Sequence, residues 1–113
     1  MGVRMMADWA VSPGETEIVG TAVQSLMVAV RAQPGCVSCS FSTQLGGRTR
    51  FHYEEEWRTE DDLNLQLRSG WFAKLAHLME SAMERPRIEF LFPDGTRGIE
   101  YAEAVRRDRT QLP

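Results

Sequence analysis

The change of hydrophobic period around Trp57 restricts this chain more than any other feature. From Phe51 to Trp57 the residues alternate, with Phe51, Tyr53, Glu55 and Trp57 on one face and His52, Glu54 and Glu56 on the other, the two-residue repeat of a strand. Directly afterwards Thr59-Glu60-Asp61-Asp62 supplies a helix cap and an acidic first turn that complements the helix dipole, and Leu63 and Leu67 lie one turn apart. Gly46-Gly47 precedes this strand and follows another, Cys36 to Leu45, and paired glycines supply the positive φ angles of a tight hairpin turn. The stretch therefore predicts two antiparallel strands feeding straight into a helix. Ser69-Gly70 interrupts that helix, which resumes with Trp71, Phe72, Leu75, Leu78, Met79 and Ala82 on one side and ends before Pro86.

The flanks complete a repeat of the same unit. Val3, Met5, Ala7, Trp9 and Val11 alternate with Arg4, Met6, Asp8 and Ala10 as a first strand. Ser12-Pro13-Gly14-Glu15 predicts a helix start, with a serine cap, a proline in the first turn and a glutamate three residues after the cap. Ile18, Ala22, Leu26 and Ala29, widened by Val19, Val23, Met27 and Val30, form a broad apolar stripe that Gln33-Pro34-Gly35 ends. Ile88, Phe90 and Phe92 alternate as a fourth strand, Pro93-Asp94-Gly95 is a turn, and Ile99, Tyr101 and Val105 suggest a fifth strand with Glu103 the one charge on its face. The order is βαββαβ with a C-terminal extra strand, an α+β, ferredoxin-like arrangement. One domain over residues 1–105 and a mobile tail over 106–113 are expected. Helices on one side of an antiparallel sheet leave the other side bare, and Met6 and Ala10 make that side of the first strand apolar, so a homodimer is expected.

Composition excludes several function classes. Thirteen basic and sixteen acidic residues, net charge −3, leave no electrostatic footprint for nucleic acid. No apolar run approaches the roughly 18–20 residues of a membrane span, and the N-terminus has no signal-peptide pattern, so a cytoplasmic location is expected. There is no Gly-x-Gly-x-x-Gly, no phosphate loop and no histidine–carboxylate cluster at ligand spacing, so neither a cofactor nor a metal is expected. Cys36 and Cys39, read on a regular strand, point to opposite faces and stay unpaired thiols.

Titratable groups are few. Asp8 on an apolar strand, His52 and His77 are the candidates for proton handling, with Trp57, Arg68, Trp71 and Phe72 as pocket walls. Glu55 sits beside two aromatics, and a buried carboxylate there needs a donor, for which Arg48, Arg50 and Arg68 are available.

Three pieces, Gln33-Pro34-Gly35-Cys36, Glu55-Glu56-Trp57 and Leu67-Arg68-Ser69-Gly70-Trp71-Phe72, resemble the dimeric antibiotic biosynthesis monooxygenase superfamily over most of residues 3–92. That resemblance implies a dimeric α/β barrel built sheet against sheet, with a pocket between each sheet and its own helices. It also implies two activities, cofactor-free oxygenation of quinols or anthrones and heme degradation. The heme-degrading members carry an asparagine on the first strand, a tryptophan in the second helix and an iron-binding histidine beyond it. Those positions fall here on Asp8, Gln66 and Ala76, with His77 displaced by one residue and hence by about 100° around a helix. The expectation is a cofactor-independent, quinol-monooxygenase-like enzyme acting on a quinol-like or polyketide-like aromatic. The alternative is a non-catalytic small-ligand-binding or stress-associated dimer on the same fold.

Overall fold

A computed structural model describes residues 2–44 and 48–108. The elements run β1 (Val3–Val11), α1 (Thr16–Arg31), β2 (Cys36–Gln44), β3 (Thr49–Trp57), α2 (Glu60–Arg68), α3 (Gly70–Met79), β4 (Arg87–Phe92), β5 (Gly95–Arg97) and α4 (Ile99–Arg107). The strands form one antiparallel sheet in the order β2-β3-β1-β4-β5. The first four take the ferredoxin-like arrangement expected from the period changes. The Gly46-Gly47 turn lies outside the described residues, but the strands on either side of it pair as a hairpin, with Thr43 opposite Phe51.

Inward positions of β1, β3 and β4 build the core. Val3, Met5, Ala7, Trp9 and Val11 meet Phe51, Tyr53, Trp57 and Phe90, and α1, α2 and α3 cover them with Val23, Val30, Leu63, Leu67 and Leu75. Thr59 caps α2 by accepting from the Asp62 backbone N–H at 3.1 Å. Ser69 is both the last cap of α2 and the first of α3, its extended ψ of 163° breaking the helix while its hydroxyl accepts from Phe72 N–H. The interruption read at Ser69-Gly70 is therefore a shared cap.

Four expectations change. The first helix starts at Thr16, a turn later than its serine-proline signal, because the Ser12 carbonyl closes a turn by accepting from Glu15 N–H and Thr16 Oγ1. Residues 99–107 form a helix, and the extra strand is confined to Gly95–Arg97. Tyr101 and Val105 are also one helical turn apart, and a helix takes Glu103 off their face, which a strand cannot do. Arg106 lies inside α4 and donates to the Leu67 and Ser69 carbonyls, so the chain is ordered past residue 105; residues 109–113 lie outside the described part. The outer sheet face is also less apolar than β1 alone suggests. Beside Met6 and Ala10 stand His52, Glu54, Glu56, Ser38, Ser40 and Glu89, brought there by register.

Gly35 is buried at the entry to β2, where an added Cβ would lie 2.2 Å from Asp62 Cγ and 2.6 Å from Asp62 Cβ. Asp62 cannot simply swing aside, since its backbone N–H is tied to Thr59. Gly35→Ala should therefore push the start of α2 off the β2 entry and cost about 1–3 kcal/mol, read as a lower urea midpoint.

Candidate functional site

β3 aims Tyr53, Glu55 and Trp57 at the helices, since alternate residues share a face. Glu55 is 1% exposed. Its carboxylate accepts from Tyr53 Oη at 2.5 Å, Trp57 Nε1 at 2.8 Å and Gln66 Nε2 at 3.3 Å. The arginines expected as partners are elsewhere: Arg48 and Arg50 pair with Glu84, and Arg68 makes no ion pair with Glu55. A neutral donor set holds the carboxylate without cancelling its charge. Burial consequently pushes the Glu55 carboxyl above its usual range, and the three hydrogen bonds pull only part of the way back. Tyr53 is driven upward by its own burial and by Glu55, so its phenol keeps its proton. Behind it Cys39 Sγ donates to Tyr53 Oη at 3.4 Å, and burial pushes that thiol up to about 11.

The cluster borders a cavity beside α2. Gln66 and Trp57 line a cavity of about 270 Å³ whose other walls include Pro34, Gly35, Leu65 and Ser69. The Gln66 contact is the longest of the three to Glu55, and the Ser69 hydroxyl lies 3.4 Å from Gln66 Oε1. A high-pKa carboxyl one side chain away from a cavity can exchange a proton with a bound hydroxyl. Tyr53 was not singled out from the sequence, and Gln66 was named there only as the position at which the heme-degrading members carry a tryptophan. Tyr53 shares the face of Glu55 and Trp57, and Gln66 falls between Leu63 and Leu67 on the inward side of α2, so period alone places both.

The structure separates the predicted site residues into several places. Trp57 belongs to the Glu55 cluster. Asp8 and His52 face each other on the outer side of the sheet, away from the helices, so neither shares the Trp57 cavity. His77 is exposed on α3, 3.1 Å from Glu80. Trp71 lies half-buried between α1 and α3, whereas Phe72 is buried beneath the Arg106 guanidinium. Arg68 is half-buried, its Nε enclosed without a hydrogen-bond acceptor among the described residues.

The cysteines depart from the alternation argument. A bulge at Val37 sets Cys36 opposite Trp57 and Cys39 opposite Glu55, so both face inward, three residues apart, because the extra residue shifts the phase of the strand. Both thiols are free. Among the described residues no three His, Cys, Asp or Glu side chains converge as a metal's ligand set.

On the outer face His52 Nδ1 is 2.6 Å from Asp8 Oδ1 and Nε2 is 2.8 Å from Glu54 Oε2. The bond to Asp8 raises the histidine pKa most, burial opposes it with the next-largest effect, and the bond to Glu54 adds to the rise. The folded state thus favours imidazolium. That stabilisation is fully present below the unfolded value of about 6.5 and is lost as pH rises through the higher folded value. His52→Gln should remove this fall, so the parent and variant urea midpoints converge as pH rises through that window; parallel curves would contradict the pairing.

Similarity to known proteins agrees with this architecture. The family described as antibiotic biosynthesis monooxygenase matches residues 2–78. Among solved structures, a conserved protein from Methanosarcina mazei Go1 superposes with a TM-score of 0.72 at 22% identity, covering 80% of this chain and 91% of that one. A protein from Pseudomonas aeruginosa gives 0.67 at 20% identity, covering 80% and 92%. A third, an antibiotic biosynthesis monooxygenase, gives 0.70 at 15% identity, covering 80% and 96%. Among curated proteins none matches. Among the described residues no helix is long and apolar enough to cross a membrane.

Proposed function

Because this chain belongs to the antibiotic biosynthesis monooxygenase family, we propose that it oxygenates a small electron-rich aromatic, quinol-like or polyketide-like, without an added cofactor. The observation that carries this reading is the buried Glu55 carboxyl, held by Tyr53, Trp57 and Gln66 beside a cavity that Trp57 and Gln66 themselves line. Glu55 takes the role that sequence reasoning offered to Asp8, His52 and His77. A substrate hydroxyl replaces the Gln66 amide as the third donor and gives its proton to Glu55, and Trp57 and Leu65 supply apolar walls. The resulting anion passes one electron to O₂. The two radicals then join at a ring carbon that bears hydrogen. The peroxide anion takes the proton back from Glu55 to become a hydroperoxide, which loses water with that hydrogen and leaves a carbonyl. One oxygen atom enters the ring and the other leaves as water, so substrate and O₂ are consumed one to one.

The same reading makes the protein a homodimer through its outer sheet face, the side that none of the described helices covers. Arg4, Glu54 and Glu56 form a charged ladder there, with Arg4 within 3.9 Å of both carboxylates. Light scattering at micromolar concentration should return twice 12.8 kDa, with a contact above the about 1,200 Å² typical of stable interfaces.

An oxygen electrode with a panel of benzo- and naphthohydroquinones tests the activity. Uptake above the spontaneous rate, equal in moles to the quinol lost, is the expected result. Uptake at the spontaneous rate for every member leaves the ligand-binding dimer as the reading.

A further inference from the structure

A second cavity shares no residue with the Glu55 site. It is a groove of about 470 Å³ between α1 and α3, and none of its walls comes from the sheet. Ala22, Ser25 and Leu26 form one side, and Trp71, Lys74 and Leu78 the other. The space exists because short side chains on α1 stand across from the Trp71 indole, where the stripe of a packed helix pair would carry leucines. Its volume falls in the roughly 300–1,000 Å³ range of small-molecule sites.

Its charge is as distinctive as its shape. Lys74 Nζ sits 4.9 Å from the centre of the Trp71 ring, and His77 follows one turn later at the rim. His77 has Glu80 as a partner, but among the described residues no carboxylate forms an ion pair with Lys74. In a chain of net charge −3, an apolar slot with an unpaired ammonium at its edge is an exception to the surrounding field. The ammonium over the indole is held by attraction to the ring face, which sets it where a bound anion can reach it.

We propose that the α1–α3 groove is a binding site for a one- or two-ring aromatic carboxylate. The ring lies against Trp71, Ala22 and Leu78, and the carboxylate meets the Lys74 ammonium. A neutral aromatic gains only the apolar contact, and an arylmethylammonium also meets repulsion from Lys74. The site is separate from the Glu55 cavity, so the inference stands or falls independently of the proposed oxygenation.

Calorimetric titration with 2-naphthoate, 2-naphthol and 2-naphthylmethylammonium tests it, using the full chain and two variants. Lys74→Glu reverses the charge, and Ala22→Trp fills the groove. Lys74 is exposed and Ala22 half-buried at the groove, and an unchanged circular dichroism melt verifies each fold. The expected result is saturable binding of 2-naphthoate to the parent, at least about tenfold tighter than either analogue, in line with the greater strength of charge-assisted contacts. Lys74→Glu should weaken 2-naphthoate by about tenfold or more and leave 2-naphthol unchanged. Ala22→Trp should abolish both. No binding of 2-naphthoate to the parent, equal binding of the three ligands, or unchanged 2-naphthoate binding in Lys74→Glu would each overturn the proposal. If Ala22→Trp does not fold, Lys74→Glu alone decides. If it folds and binds 2-naphthoate like the parent, the ligand is outside the groove and the proposal fails.

Discussion

Glu55→Gln is expected to lower turnover of a confirmed quinol substrate by about 10²–10⁴-fold while the chain stays folded, because it removes the proton acceptor and keeps the shape of the side chain. The same variant carries a pH signature in stability, which follows from the burial of Glu55 whatever its part in turnover. Burial raises the Glu55 pKa in the folded state, so the native protein holds a proton that the unfolded chain has released above about pH 4.3. The stabilisation is fully present below that value and is lost as pH rises through the folded pKa. Glutamine has no such loss. The variant should gain stability relative to the parent as pH rises, even as its activity stays low. Glu55→Ala leaves Tyr53 Oη, Trp57 Nε1 and Gln66 Nε2 without their acceptor, and a loss of about 2–5 kcal/mol is expected from several buried unpaired groups. Parent-like turnover by Glu55→Gln would remove Glu55 from the chemistry and return it to the role of a satisfied core group.

Phe90→Ala should cost about 3–5 kcal/mol in urea unfolding, the usual range for a buried aromatic. Phe90 is fully buried on β4 opposite Met5, and its ring centre is 5.5 Å from that of Tyr101 on α4. Tyr101 in turn packs on Phe92 at 5.0 Å and donates to Asn64 on α2 at 2.7 Å. One truncation therefore undermines the sheet edge and the seat of α4 together. Ile99→Ala, at a side chain 41% exposed at the start of the same helix, should stay within about 0.5 kcal/mol. Equal losses at the two positions would mean that α4 is not docked through Phe90.

How much of this was legible in advance depends on whether a feature is local. Alternation along residues 51–57 placed His52 and Glu54 opposite Tyr53, Glu55 and Trp57, and the register agrees. Period also set the inward faces of α1 and α3, except that Ile18, read into the α1 stripe, is exposed because Val19 takes the inward position. Ser69-Gly70 marked the break between two helices. Short segments settle such matters themselves, since a side-chain period of two or of 3.6 is a property of the backbone that carries it. The residues around 99–105 satisfied both periods, and the choice fell to packing of Tyr101 and Ala102 against β4 and α2.

The candidate site shows the division most clearly. The sequence by itself determined the order of elements, the inward direction of Glu55 and Trp57, and the need of a buried carboxylate for donors. Only the tertiary structure decided that those donors are Tyr53, Trp57 and Gln66 in place of an arginine, that Asp8 and His52 pair on the far side of the sheet, and that Cys36 joins Cys39 on the inner face. The physical reason is that a face is inherited from the local backbone, whereas a partner is chosen among all the groups that folding brings within about 3 Å. A single inserted residue at Val37 is enough to reverse an alternation that looks secure along the chain.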